Sequence, residues 1–324
     1  MNYGISQDIL VDKSSTGKAR PWKDKKAANC LLAAAYESLG TNTPEYKTKA
    51  SKLRECASWL EFAIGENGVK KLHKANFCRL RLCPICAWRR SLKIYSHTSR
   101  IMAGMKSERV YAYLFLTLTV RNCSSDQLST EISNMMSSWN RFMGYKAIKD
   151  VVRGWYRGLE ITHNIDQSSP FFGTFHPHFH CILAVPVSYF KNAGYLSHEK
   201  WTSLWKKAAR LDYEPQVDVR RIKGDTAKAV AEVAKYAVKD ADYIIPDDWD
   251  LTTETVKLLD EVLAYRRLVA YGGKMAEWHK KLNLDDEMDG DLIHVDGDEV
   301  SEEQQKLINY VWNVGYNQYY SSGS

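Results

Sequence analysis

The chain has 324 residues, enough for one large domain or two ordinary ones. It contains no run of about 18 apolar residues and no apolar signal core near the N-terminus, so a soluble, cytoplasmic protein without membrane contact is expected. The net charge of +6 conceals an asymmetry: residues 1–110 carry 21 Lys/Arg against 9 Asp/Glu, and residues 111–324 carry 24 against 30. The first third is therefore a candidate docking surface for a polyanion.

Residues 1–27 are polar and basic, 28–65 carry helical patterning, and 54–98 hold a cysteine cluster. Tyr113–Val120 is β-rich. An amphipathic helix is predicted over 125–147, opened by Ser124 or Ser125 and Asp126. Residues 155–163 and 177–185 read as two strands joined by a loop. They are followed by a helix over 197–210, a strand over 215–222 and a helix over 225–240. Residues 250–282 and 301–317 look helical. Residues 285–303 carry ten acidic side chains and no Lys or Arg, a solvated loop or a shield over a basic groove. This order predicts an α+β fold, a mainly antiparallel sheet with helices on one face. A boundary near residue 105 would separate a basic N-terminal region (1–105) from the sheet domain with its helical extension (106–295), and 296–324 would form an acidic, helical tail.

Seven cysteines stand at 30, 56, 78, 83, 86, 123 and 181, too few and too unevenly spaced for a secreted disulfide scaffold. Cys83-Pro-Ile-Cys86 is a knuckle that offers two thiolates to zinc, and Cys78 adds a third. Cys56 and His73 compete for the fourth place, with Cys56 preferred because four thiolates make a closed structural site. Arg79, Arg81, Arg89, Arg90 and Lys93, interleaved with Trp88 and Tyr95, are the candidate DNA-binding residues around this Zn²⁺.

The run His176-Pro-His178-Phe179-His180 alternates along a strand, which puts His178 and His180 on one face about 6.5 Å apart. Antiparallel pairing with the 155–163 strand brings Glu160 opposite one of them. Glu160, His178 and His180 would then hold one ion able to polarise a phosphate oxygen, and two imidazoles favour Mn²⁺ over Mg²⁺. His176 lies too far along the strand to join them. On the helix predicted over 225–243, Glu232, Tyr236, Lys239 and Asp240 share a face. Tyr236 is the candidate nucleophile, Glu232 a candidate base, and Lys239 a cation able to lower the tyrosine pKa.

These motifs, in this order, resemble the HUH endonucleases, and among them the rolling-circle replication initiators of small bacterial plasmids. The carrying segments are Phe115-Leu-Thr-Leu-Thr119, His176–Val185, Glu232–Asp240 and Phe77–Arg90. The resemblance implies a metal-dependent nick in single-stranded origin DNA: Tyr236 forms a 5′-phosphotyrosine, and Glu232 activates water for the terminating cut. Relatives with two catalytic tyrosines space them by three or four residues. Tyr243, seven beyond Tyr236, is therefore expected to pack rather than react. The implied partners are an origin hairpin and a separate helicase, since the chain has no Gly-x-x-x-x-Gly-Lys loop. Trp201, Trp205, Trp312 and Tyr316 are candidates for core or for a homo-oligomer interface. The competing readings are a transposase or mobilisation relaxase using the same chemistry, and a non-enzymatic, zinc-containing DNA-binding regulator.

Overall fold

A computed structural model describes residues 8–14, 17–65, 68–191, 194–224, 227–234, 238–286, 288–295 and 306–322. In chain order the elements begin with α1 (Trp22–Leu39), α2 (Pro44–Glu55), β1 (Trp59–Ile64), β2 (Lys70–Ala75), α3 (Pro84–Glu108) and β3 (Tyr111–Thr119). Next come α4 (Leu128–Gly144), α5 (Lys146–Lys149), β4 (Gly154–His163), β5 (Phe175–Pro186), α6 (His198–Ala209) and β6 (Val217–Arg221). The chain continues with α7 (Ala227–Val233), α8 (Trp249–Leu263), β7 (Val269–Gly273), α9 (Lys274–Lys281), β8 (Lys306–Asn313) and β9 (Gln318–Ser322). The expected α+β class is the one observed, with two antiparallel sheets. The chain divides into two compact units. One comprises residues 1–93, 244–260 and 288–324; the other comprises 94–243 and 261–287. The division falls inside α3, before the expected boundary near 105.

The first unit holds the sheet β2-β1-β8-β9. The helix expected over 301–317 is here a hairpin: β8 pairs with both β1 and β9. The reason is a two-residue period, which turns Tyr310 and Trp312 inward and leaves Leu307 and Val311 exposed. Tyr319 is fully buried and donates its hydroxyl to the Ala57 carbonyl at 2.7 Å. Tyr316 is exposed, whereas Trp312 belongs to the core.

The second unit is built on the sheet β6-β3-β5-β4-β7. Strands β4 and β5 are buried along almost their whole length, so both faces must be covered. On one face Phe115, Tyr156, Ile182 and Ala184 pack with residues of α3, α7 and α9. On the other, Phe179 meets Trp139 of α4 at 5.9 Å and Trp205 of α6 at 6.3 Å between ring centroids. Trp201 and Trp205 are thus core residues, both fully buried. The expectation of helices on one face is corrected to helices on both.

Residues 250–282 are not one helical stretch, because β7 intervenes and pairs with β4. Gly273 has φ +55°, and a side chain there would collide with the Arg153 carbonyl. That glycine lets the chain turn from the strand edge straight into α9. Among the described residues, no helix is long and apolar enough to cross a membrane.

Candidate metal centres and nucleophile segment

The first centre is assembled on the sheet of the second unit. The β4–β5 register sets Glu160 directly opposite His178 and Gly158 opposite His180, while β3 sets Thr117 opposite His180. Alternation sends Phe179 into the core and leaves the two imidazoles on the Glu160 face. His180 Nε2 lies 3.1 Å and His178 Nε2 3.7 Å from Glu160 Oε2, and one ligand atom from each of the three residues falls within a mutual 4.8 Å. The remaining ring nitrogens are also engaged. Nδ1 of His180 is 3.1 Å from the Thr117 hydroxyl, and Nδ1 of His178 is 3.1 Å from the His176 carbonyl. Such outer contacts fix ring orientation and leave both Nε2 atoms directed at one point. His176 stacks on His178 with ring centroids 5.3 Å apart and lies outside the triad.

Lys239 supplies a cation to the same carboxylate, with Nζ 3.1 Å from Glu160 Oε1. Burial alone would raise the Glu160 pKa. The hydrogen bonds of His178, His180 and Lys239 overcome it and hold the carboxyl well below the usual range. Burial pushes Asp242 up to about 6, with Lys239 opposing and Glu160 adding to the rise. Among the described residues, the buried Asp242 Oδ2 atom has no hydrogen-bond partner.

The nucleophile segment differs from the expected helix. Helix α7 ends at Val233 and a 3₁₀ turn follows over Asp240–Asp242, so Glu232, Lys239 and Asp240 do not share a continuous helix face. Tyr236 lies outside the described residues. Both flanks of its segment are held by β4: the buried Tyr156 hydroxyl donates to the Val233 carbonyl at 2.8 Å, and His163 Nδ1 is 3.0 Å from the Asp242 carbonyl. Gly158 makes the first contact feasible, since a Cβ there would sit 2.8 Å from the Tyr156 hydroxyl. Glu232, at the end of α7, is half-buried, and its charge reaches Lys239. Tyr243 is 1 % exposed. Thr117, Tyr156, His163 and Asp242 did not stand out in the sequence. Only Thr117 carried a signal, by its parity within Phe115–Thr119.

The second centre belongs to the first unit. Cys56 Sγ lies 3.6 Å from both Cys83 and Cys86, and Cys78 lies 3.8 Å from Cys86. A tetrahedral Zn²⁺ with bonds of about 2.3 Å requires sulfurs about 3.8 Å apart, so the four thiols match that ion. Cys56, rather than His73, completes the set; His73 instead faces Glu61 at 3.8 Å. Pro84 opens α3, which carries Cys86 on the first turn. Asn29 and Lys26 of α1 close the site. The Asn29 side-chain oxygen is 3.2 Å from Cys83 Sγ, and buried Lys26 donates to the Arg54 and Cys56 carbonyls at 2.9 and 2.6 Å.

The basic residues beside this centre need correction. Arg89 and Arg90 are buried, and Arg89 donates to the Leu292 and Ile293 carbonyls at 2.9 and 2.7 Å. Arg90 reaches the Met288 and Leu80 carbonyls at 3.2 and 3.1 Å, and Lys93 is 2 % exposed. Arg89 and Arg90 brace the 288–293 segment, and all three side chains are buried. Arg79 is exposed but donates to the Asp289 and Gly290 carbonyls, and Arg81 is half-buried.

Comparison with known proteins decides the family. Residues 69–320 match the model of a family described as replication proteins. The chain belongs to the replication protein family. Its relatives there include the protein rep of Bacillus amyloliquefaciens, 42 % identical over 96 % of each chain. The protein rep of Lactiplantibacillus plantarum is 36 % identical over 97 % of this chain and 99 % of its own. That of Streptococcus pneumoniae serotype 2 is 34 % identical over 96 % and 95 %. No solved structure matches. The rolling-circle plasmid replication protein expected from the motifs is the family found.

Proposed function

We propose that this replication protein is a metal-dependent nickase of the HUH type that starts plasmid replication by cutting single-stranded DNA within an origin hairpin, in the bacterial cytoplasm. The observation that carries the reading is Glu160 set between two imidazoles and one ammonium on a single sheet face. Glu160, His178 and His180 would hold Mn²⁺ or Mg²⁺, which when bound polarises a non-bridging phosphate oxygen. One carboxylate with two neutral imidazoles suits Mn²⁺ better.

Tyr236 attacks the phosphorus through its Oη. The Oη–P bond forms as the phenol gives up its proton, the P–O3′ bond breaks, and the departing O3′ takes up a proton to become the primer hydroxyl, so the protons balance. The phosphodiester energy is kept in the tyrosine link, so no nucleotide is hydrolysed. The β4 contacts to Val233 and Asp242 hold the two flanks of the tyrosine segment, which lowers the entropy cost of aligning the nucleophile. Lys239 balances negative charge near the phosphate. In the terminating cut Glu232 removes a proton from water, the water oxygen bonds to phosphorus as the P–O3′ bond breaks, and O3′ takes up a proton. The hydrolysed end cannot be used again, which makes each molecule single-use. Cys56, Cys78, Cys83 and Cys86 hold a structural Zn²⁺, and a separate helicase unwinds the duplex.

The test is a labelled single-stranded origin oligonucleotide incubated with protein and Mn²⁺, followed by peptide mapping of the protein–DNA adduct. The adduct is expected on the short tryptic peptide between Lys235 and Lys239, and it disappears in Tyr236→Phe. An adduct on the peptide carrying Tyr243, or one that survives in Tyr236→Phe, rejects this assignment. Without any adduct, the non-enzymatic DNA-binding regulator becomes the better account.

A further inference from the structure

Strands β4 and β5 are joined by residues 164–174, and this loop carries two adjacent phenylalanines at the surface. Phe171 is 55 % exposed and Phe172 42 %. The loop that displays them is firmly built. The Phe172 amide donates to the Ser169 carbonyl, and the Thr174 amide to the Phe171 carbonyl, both at 3.0 Å. Asn164 closes the base, its amide donating to the Thr174 carbonyl at 2.9 Å and its carbonyl accepting from the Gly173 amide at 2.8 Å. The Asn164 side chain donates to the Ser169 hydroxyl at 3.0 Å, which in turn accepts from the Phe171 amide at 3.2 Å. Asn122, just beyond β3, adds a tie by donating to the Thr174 hydroxyl at 2.8 Å. A loop fixed by its own hydrogen bonds thus holds two apolar rings in water, which marks a contact surface rather than a frayed turn.

The position of the loop names its partner. It springs from the hairpin that carries Glu160, His178 and His180, and Asn164 follows Glu160 by four residues, about 13 Å of strand. His163, the last residue of β4, stacks on Phe175 with ring centroids 4.3 Å apart and holds the Asp242 carbonyl, a flank of the Tyr236 segment. Beside Asn122, exposed Arg121 lies with its guanidinium carbon 3.8 Å from the Tyr213 ring centre, a fork suited to phosphate. The one carboxylate of the loop, Asp166, accepts from the Ser168 amide and hydroxyl at 2.9 and 2.7 Å. A strand that is cut while unpaired has bases without stacking neighbours, and aromatic faces replace them. Phenylalanine has no hydrogen-bonding group, so these rings suit the face of any base.

We propose that Phe171 and Phe172 form a stacking platform for unpaired bases of the nicked strand, a few nucleotides from the bond cut at the metal centre. The inference rests on the reading of the protein as an origin-nicking initiator.

The experiment is fluorescence anisotropy with the full-length protein, without added divalent metal, on a labelled oligothymidylate and on an abasic strand of equal length. Wild type should hold the oligothymidylate more tightly, and Phe171→Ala/Phe172→Ala should lose that preference by at least about fivefold. Its melting temperature and salt slope should stay those of the wild type, since neither ring is buried and stacking releases no counterion. Phe171→Tyr/Phe172→Tyr should keep the preference for bases. Phe171→Leu/Phe172→Leu, apolar but without a π face, should lose it. An undiminished preference in the folded alanine variant overturns the proposal, and so does a leucine variant that binds as the wild type does. A wild-type dimer in sedimentation that becomes monomeric in the alanine variant at unchanged DNA affinity also overturns it, because the rings would then join two copies of the chain. Failure of the wild type to form any adduct on the origin oligonucleotide would instead strike the nicking chemistry and leave the base preference to judge the platform.

Discussion

The four-cysteine cluster and the Glu160–His178–His180 cluster each combine a short-range pair with a residue distant in sequence, but they present opposite chemistry to an ion. The cysteine site uses four soft ligands, all of its sulfurs within reach of one another, and is closed by Asn29 and Lys26. An ion there has no free position and serves to hold chain segments together. Among the described residues the sheet site offers three ligands, one anionic, and its His180 side chain keeps 15 % of its exposure. An ion there keeps positions for a phosphate. The difference teaches where folding and chemistry have been separated: one centre is saturated by protein, the other left incomplete.

Removing a cysteine should give the largest effect. In Cys83→Ser zinc content falls to background, and the cooperative melt of the cysteine unit is lost. Structural zinc contributes on the order of 10 kcal/mol, comparable to the whole stability of an ordinary domain. Elemental analysis and circular dichroism check it. Glu160→Gln acts on the other side of the comparison. Zinc content and the cysteine unit stay intact, while adduct yield with Mn²⁺ falls at least about 100-fold, beyond the usual cost of disturbing an outer contact.

Tyr156→Phe sharpens the role of the β4 tether. It removes the hydroxyl from the buried Val233 carbonyl, so stability drops by about 1–3 kcal/mol. The adduct should form more slowly, with oligonucleotide affinity unchanged. Denaturant unfolding and single-turnover kinetics separate these effects.

Asp242 gives the smallest effect. Its folded pKa of about 6 exceeds the ordinary carboxylate value of about 3.9, so between those values the folded state binds more proton than the unfolded one. Its contribution to stability therefore falls as pH rises through that window. Asp242→Asn should raise the melting temperature at pH 7 in protein stripped of the Glu160-site metal, with the gain vanishing below about pH 4. A gain that persists in acid would contradict the assignment.

Much of the sheet centre was legible because strand parity is local. The His-Phe-His alternation and one antiparallel neighbour were enough to find Glu160. The cysteine set was legible from spacing, except for the choice between Cys56 and His73. The helix expected over 225–243 failed because Glu, Ala and Lys propensities continue past Val233, whereas its carbonyl is taken by Tyr156, 77 residues earlier. The basic face of α3 failed for a similar reason. The carbonyls that accept from Arg89, and the Met288 carbonyl that accepts from Arg90, lie about 200 residues away, and nothing local announces them. At the C-terminus, a helix was expected over 301–317, although Tyr310 and Trp312 already follow the period of a strand.

The most direct measurement is metal content set against adduct yield in protein dialysed with a chelator such as EDTA. The account predicts that one zinc per chain survives, that no adduct forms on the origin oligonucleotide, and that added Mn²⁺ restores it in wild type but not in Glu160→Gln. An adduct that forms with zinc alone, or that returns equally in Glu160→Gln, would contradict the claim that the sheet centre carries the chemistry.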